Sequence, residues 1–180
     1  MKRFLMLVAA VAAAACSGTG TPPVSAATLA DSAEQIIFDG HALMTNSGVK
    51  RGDMFADTIY VFRDQTLFVL RKVRAIFNTE TGAPNGTLKG ERGTYDLRTQ
   101  VLEGYGNVVV TSTDGKRLTS NHLKYAQAAN QISSDSAFVF YRGKDVQRGI
   151  GFVSDPNITV FKCLRACSVA ADVPIGNLTP

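Results

Sequence analysis

The chain has 180 residues, of which 45% are hydrophobic and 19% charged, with 16 glycines and no tryptophan. That length suits one domain with a tail, and that balance excludes a disordered chain and a polytopic membrane protein. Setting Lys2 and Arg3 aside with the leader described next, 19 basic residues become 17 against 15 acidic ones, too few for the basic stripe of a nucleic-acid binder.

Met1-Lys2-Arg3 is a basic start, and Phe4 to Ala15 is an unbroken apolar run of 12 residues. Crossing a bilayer takes about 20 such residues, so the run has the length of a secretory leader and not of a span. It closes on Ala13-Ala14-Ala15-Cys16, which resembles a bacterial lipobox, where the cysteine is lipidated and becomes the mature N-terminus. Ala13 departs from the larger aliphatic residue usual at that position, and plain cleavage near Ala-x-Ala is the alternative. The Gly-, Thr- and Pro-rich stretch after Cys16 reads as a tether. Residues 1–15 are thus expected to be a signal peptide, and 16–34 a lipid-anchor tether with Cys16 as the lipidation site. Residues 28–38 are expected to form a short helix, with Leu29, Ala33, Ile36 and Ile37 on one face.

Beyond residue 35 the apolar period is two, the mark of strands. Gln35–Leu43 and Val49–Ala56 read as strands, and Val108 to Ser112, Asp114-Gly115 and Lys116 to Ser120 read as a hairpin. Tyrosines then mark a repeat. Tyr60 is followed by Leu67 and Val73, Tyr95 by Leu102 and Val108, and Tyr125 by Ile132 and Phe138, each at intervals of seven and six residues. Each unit reads as strand, tight turn, strand. Because side chains alternate along a strand, Tyr60, Leu67, Val73, Tyr95, Leu97, Leu102, Val108, Val110, Leu123, Tyr125, Ile132, Phe138 and Phe140 are expected on one greasy face. The opposite parity is mostly polar, with Ile59, Phe68, Leu70 and Val109 as exceptions. Such a face is either the dry core of a sandwich or a trough for something long and apolar. The edges of an open sheet can also accept another chain's strand.

Three cysteines leave Cys163 and Cys167 as a pair if Cys16 carries lipid. On a straight strand four residues span about 13 Å, so a disulfide between them needs a turn through Leu164 to Ala166. Two cysteines without a nearby histidine are too few for a metal site. Residues 163–180 are expected to be a C-terminal tail. No G-x-S-x-G, H-E-x-x-H or phosphate-binding loop occurs. His41 and His122 read as strand-surface residues. No catalytic residue, metal or cofactor is expected.

In order and spacing, residues 35–162 resemble the LptC family, the periplasmic component of the lipopolysaccharide-export transporter, which is related to LptA and OstA-like repeats. The likeness is carried by Gly48-Val-Lys-Arg-Gly-Asp-Met-Phe-Ala-Asp, Leu88-Lys-Gly-Glu-Arg-Gly-Thr-Tyr-Asp, Leu102-Glu-Gly-Tyr-Gly-Asn-Val-Val-Val and Leu118-Thr-Ser-Asn-His-Leu-Lys-Tyr. The resemblance implies an all-β fold, a twisted open β-jellyroll of stacked antiparallel hairpins with a V-shaped section and a hydrophobic groove. The tyrosine-face residues become groove lining for lipopolysaccharide acyl chains. Strands near 35–56 become the edge facing the inner-membrane permease complex, and those near 150–162 the edge passing lipid to an LptA-like bridge protein by strand pairing. A periplasmic location is implied. Many family members hold the inner membrane through an N-terminal transmembrane helix, and this chain departs from them in that its lipobox points to a lipid on Cys16, with the inner membrane as the expected attachment and the outer membrane as the other choice. Exposing an acyl chain of 12–14 carbons to water costs on the order of 10 kcal/mol at ~0.8 kcal/mol per CH2, and a continuous apolar trough removes that cost. A soluble LptA-like bridge and a structural envelope protein with a closed, dry core are the alternatives.

Overall fold

The computed structural model describes residues 29–79 and 81–171. The expected signal peptide, Cys16 and most of the tether lie outside the described residues. After the four-residue helix α1 (Leu29–Ser32) come nine strands: β1 (Gln35–Asn46), β2 (Val49–Phe62), β3 (Leu67–Asn78), β4 (Pro84–Asp96), β5 (Val101–Ser112), β6 (Arg117–Ala126), β7 (Gln131–Arg142), β8 (Asp145–Ser154) and β9 (Phe161–Ala171). The helix does not continue to residue 38, because Gln35 to Phe38 pair with Thr58 to Val61 of β2. One sheet holds all nine strands in chain order, and every neighbouring pair is antiparallel. The chain is all-β, an open jellyroll of stacked hairpins.

A single crease crosses this sheet. It passes Asp39 (φ 49°), Lys72 (φ 48°), Asn107 (φ 44°), Gly151 (φ 73°) and Ala166 (φ 48°), all in the left-handed region. Register breaks lie along it, between Tyr105 and Val108, Ser120 and Lys124, Ser134 and Ala137, and Arg148 and Ile150. Left-handed residues and bulges bend strands, and their alignment folds the sheet into two walls. The first wall carries the hairpin turns β1–β2, β3–β4, β5–β6 and β7–β8. The second carries the turns between.

The bend resets the alternation. Ala56 and Ile59 are both buried in β2, Leu70 and Val73 in β3, and Ser120 and Leu123 in β6, three residues apart where strict alternation allows two or four. In β5 and β7 the parity survives, from Leu102 to Val108 and from Ile132 to Phe138. The expectation of one parity per strand therefore fails in β2, β3 and β6.

The end of the domain also differs from expectation. The boundary at residue 162 falls inside β9, and residues 163–171 form its length rather than a tail. Strand addition uses backbone groups and needs no side-chain alternation. Residues Leu164 to Ala170 are exposed on both faces, which is why no apolar period marks them.

Candidate functional site

The two walls enclose an apolar interior. From the first wall come Met44, Met54, Ala75, Phe77, Leu88, Val108, Val110, Leu118, Phe138 and Phe140, and from the second Ile59, Val61, Leu70, Tyr95, Leu102, Leu123, Tyr125, Ile132 and Phe152. They meet across the sheet: the rings of Phe77 in β3 and Tyr125 in β6 are 4.4 Å apart. Toward β9, Phe161 stacks on Phe140 at 4.5 Å and meets Phe138 edge-on at 5.3 Å.

Of the thirteen residues expected on the greasy face, ten are buried here: Val73, Tyr95, Leu102, Val108, Val110, Leu123, Tyr125, Ile132, Phe138 and Phe140. Tyr60 and Leu67 are not among them. Both are half-buried and belong to the parity that the crease turns outward. Tyr60 lies under the Arg71 guanidinium, 5.8 Å from its ring centroid. Leu97 is 43% exposed, in the turn after β4 ends at Asp96. Their inward places are taken by Ile59, Val61 and Leu70, with Phe68 packed beside them. Three of these were the exceptions on the polar parity, and that anomaly was the available signal.

The interior is filled by its own side chains. Leu88, Leu102, Val110 and Ile132 have no exposed surface. The expected open trough is thus closed in this structure, which is the arrangement the structural-protein alternative expected.

Opposite the crease, the walls touch at two polar stations. At the first, the Gln127 side chain donates to the Thr45 carbonyl at 2.6 Å and accepts from the Tyr95 hydroxyl at 3.2 Å. Gln100 also donates to Thr45, at 3.4 Å. Burial raises the pKa of Tyr95. Deeper in, the Tyr125 hydroxyl is buried without a hydrogen-bond partner, and burial pushes its pKa up to about 12. At the second station, Asn157 accepts from the Thr113 amide at 3.0 Å and its hydroxyl at 2.9 Å. Beside it, a methyl group on Gly86 would lie 2.5 Å from the Pro156 carbonyl oxygen, so the walls approach backbone to backbone.

The outer side of the crease is polar. Lys72 pairs with Asp57 at 2.6 Å, and Asn107 donates to Glu91 at 2.5 Å. Glu103 accepts from the Tyr105 hydroxyl at 2.5 Å and bonds His122 at 2.9 Å. Burial opposes ionisation of Glu103, but these bonds and the nearby cations outweigh it and lower its pKa. The same burial, with the bond to Glu103, pushes Tyr105 up to about 12. His41 bonds Asp53 at 2.9 Å and stacks on Phe55. Both histidines are thus engaged on the outer face, and no group of three or more potential metal ligands occurs among the described residues. Cys163 and Cys167 are joined by a disulfide, with their Cα atoms 6.1 Å apart.

An all-β meander folded along one crease around an apolar interior is the architecture that the repeat implied, and the family model for lipopolysaccharide-assembly, LptC-related proteins matches residues 5–158. The chain belongs to this family. Its members are non-enzymatic transport components of the periplasm, associated with the inner membrane, and their work is lipopolysaccharide transport with LptA-like partners. No curated protein matches the chain. Among solved structures it is similar to LptH, the LptA-homologous periplasmic component of the lipopolysaccharide transport device from Pseudomonas aeruginosa, at 14% identity and a TM-score of 0.49, over 65% of this chain and 92% of that one. No described helix is long and apolar enough to cross a membrane.

Proposed function

We propose that the chain carries lipopolysaccharide acyl chains between its two walls, from the inner-membrane permease complex to a downstream bridge protein. One observation carries the reading: the apolar interior runs unbroken from Met44 and Met54 near β1 to Phe152 and Phe161 near β9, so it connects both unpaired edges of the sheet. The walls are continuous through the crease and are held at the mouth by polar contacts from Gln127 and Asn157. Loading opens the mouth about the crease, and acyl carbons replace the side-chain contacts that close it. Tyr95, Leu102, Val108, Tyr125, Ile132 and Phe138 then line the path. Exposed β1 and β9 pair with strands of the permease side and the bridge side, respectively. A lipid on Cys16 holds the carrier at the inner membrane.

The closed interior favours a second reading, a structural envelope protein that binds no lipid. A photo-crosslinking residue placed at Tyr95, Val108 or Phe138 separates the two. Carriage predicts adducts that blot as lipopolysaccharide at all three and none at exposed Leu97. A folded protein without adducts at any interior position refutes carriage and leaves the structural reading.

A further inference from the structure

The last strand carries a device that the other eight lack. In β9 two residues, Ala166 and Cys167, stand opposite the single Gly149 of β8, because Ile150 pairs with Arg165 while Arg148 pairs with Ser168. That is a β-bulge, with Ala166 in the left-handed region at φ 48°. The Cys163–Cys167 bond spans it. It draws together Cα atoms 6.1 Å apart that would sit about 13 Å apart on a straight strand. A methyl group on Gly149 would fall 2.6 Å from the Cys163 sulfur, so the facing strand leaves room for the bridge. A loop of so few residues removes little entropy from the unfolded chain, so the bond acts chiefly on local shape.

Each interior strand is held at the crease by neighbours on both sides. β9 has a neighbour on one side only. Its first segment is anchored, because Phe161 and Cys163 pack on the core. Its second segment, Ser168 to Ala171, pairs with Asp145 to Arg148 and is held by that backbone pairing and the bridge. Val169 is 66% exposed.

We propose that the Cys163–Cys167 bond keeps the crease in the exposed edge strand, so that its redox state sets whether β9 offers one docking segment or two. Oxidised, β9 presents Phe161–Leu164 and Ser168–Ala171 as a bent edge, matched to a strand from another sheet creased at the same level. Reduction proceeds with a dithiol. One thiolate attacks the sulfur of exposed Cys167, forming a mixed disulfide and releasing Cys163 as a thiol. The second thiolate resolves it, so that Cys167 also leaves as a thiol and the reductant as a disulfide. The bulge then loses its clamp and the second segment frays. This inference rests on β9 being the bridge-side edge of the proposed function.

The test measures amide hydrogen exchange on the full chain before and after dithiothreitol, and on the double variant Cys163→Ser/Cys167→Ser. Both treatments should accelerate exchange at least tenfold across residues 168–171 and leave β5 and β6 unchanged. Unaltered exchange in β9, or acceleration throughout the sheet, overturns the clamp. A second arm places a photo-crosslinker at Lys162 or Val169 beside an LptA-like bridge protein. Capture at Val169 should fall on reduction while capture at Lys162 persists, and equal capture at Val169 in both states refutes redox control of the edge. No capture at either position in the oxidised chain defeats the edge reading itself, whatever the exchange shows.

Discussion

The side-chain amide of Gln127, in the β6–β7 turn, reaches across the sheet to the carbonyl of Thr45 at the end of β1, 2.6 Å away. Eighty-two residues separate them, and they belong to opposite walls. Gln127 is 1% exposed, so its bonds are made out of water. Replacing it with alanine removes the donor to Thr45 and the acceptor for Tyr95, at a cost of about 1–3 kcal/mol by the usual worth of buried hydrogen bonds. Urea denaturation should show that loss. If the contact also closes the mouth, Gln127→Ala should take up a fluorescent fatty acid more readily than the parent chain.

The second station is tested by one methyl group. A Cβ at Gly86 would sit 2.5 Å from the Pro156 carbonyl oxygen, a backbone atom that cannot rotate away. Gly86→Ala should therefore force the walls apart and destabilise the fold by roughly 1–3 kcal/mol, as overpacking does. A melting temperature equal to that of the parent would show that the walls yield there freely.

Tyr125 offers the opposite result. Its hydroxyl is buried with no hydrogen-bond partner, while its ring meets Phe77. Tyr125→Phe keeps the ring and deletes the unsatisfied group, so stability should hold or rise by roughly 1 kcal/mol. Tyr125→Ala should lose about 3–5 kcal/mol. Chemical denaturation of the two variants checks both.

Asp114 and Tyr105 set pH dependences of opposite sense. The bonds from Lys116 and Ser112 lower Asp114 from 3.8 to about 2. Its folded pKa lies below the unfolded one, so its support for the β5–β6 hairpin is complete above the unfolded value and fades as pH falls toward about 2. A carboxyl carbon titration by NMR should find that midpoint. For Tyr105, burial and the bond to Glu103 raise the pKa from 10.0 to about 12. Its contribution is complete below the lower value and is lost as pH rises through the upper one. Ultraviolet titration of the folded chain should place this phenol, with Tyr125, last to ionise, and Glu103→Gln should bring Tyr105 down.

The strands and their turns were legible because alternation and turn residues are local signals. The hairpin at Asp114-Gly115 lies between β5 and β6 as its turn chemistry required, and the tyrosine spacing identified the repeating hairpins. What alternation could not convey is a fold line. Tyr60 and Ile59 differ by one position, and which of them faces inward depends on where the crease, marked in the neighbouring strand by Lys72 (φ 48°), crosses β2. That bend is a property of several strands in register and is written in no single one. Most of β9 escaped for another reason: Leu164 to Ala170 are exposed on both faces, so that stretch joins the sheet by backbone pairing alone. The closed interior was equally out of reach, since the same apolar face serves a packed core and a trough.

The order of the strands has a kinetic corollary. Every strand pairs with the one that precedes it, so a chain emerging end-first can lay down its hairpins one after another, without waiting for a distant segment to be made. Closure of the walls, as between Thr45 and Gln127, comes only when later strands arrive. Low sequence separation speeds assembly, and here it confines the slow, long-range step to the end.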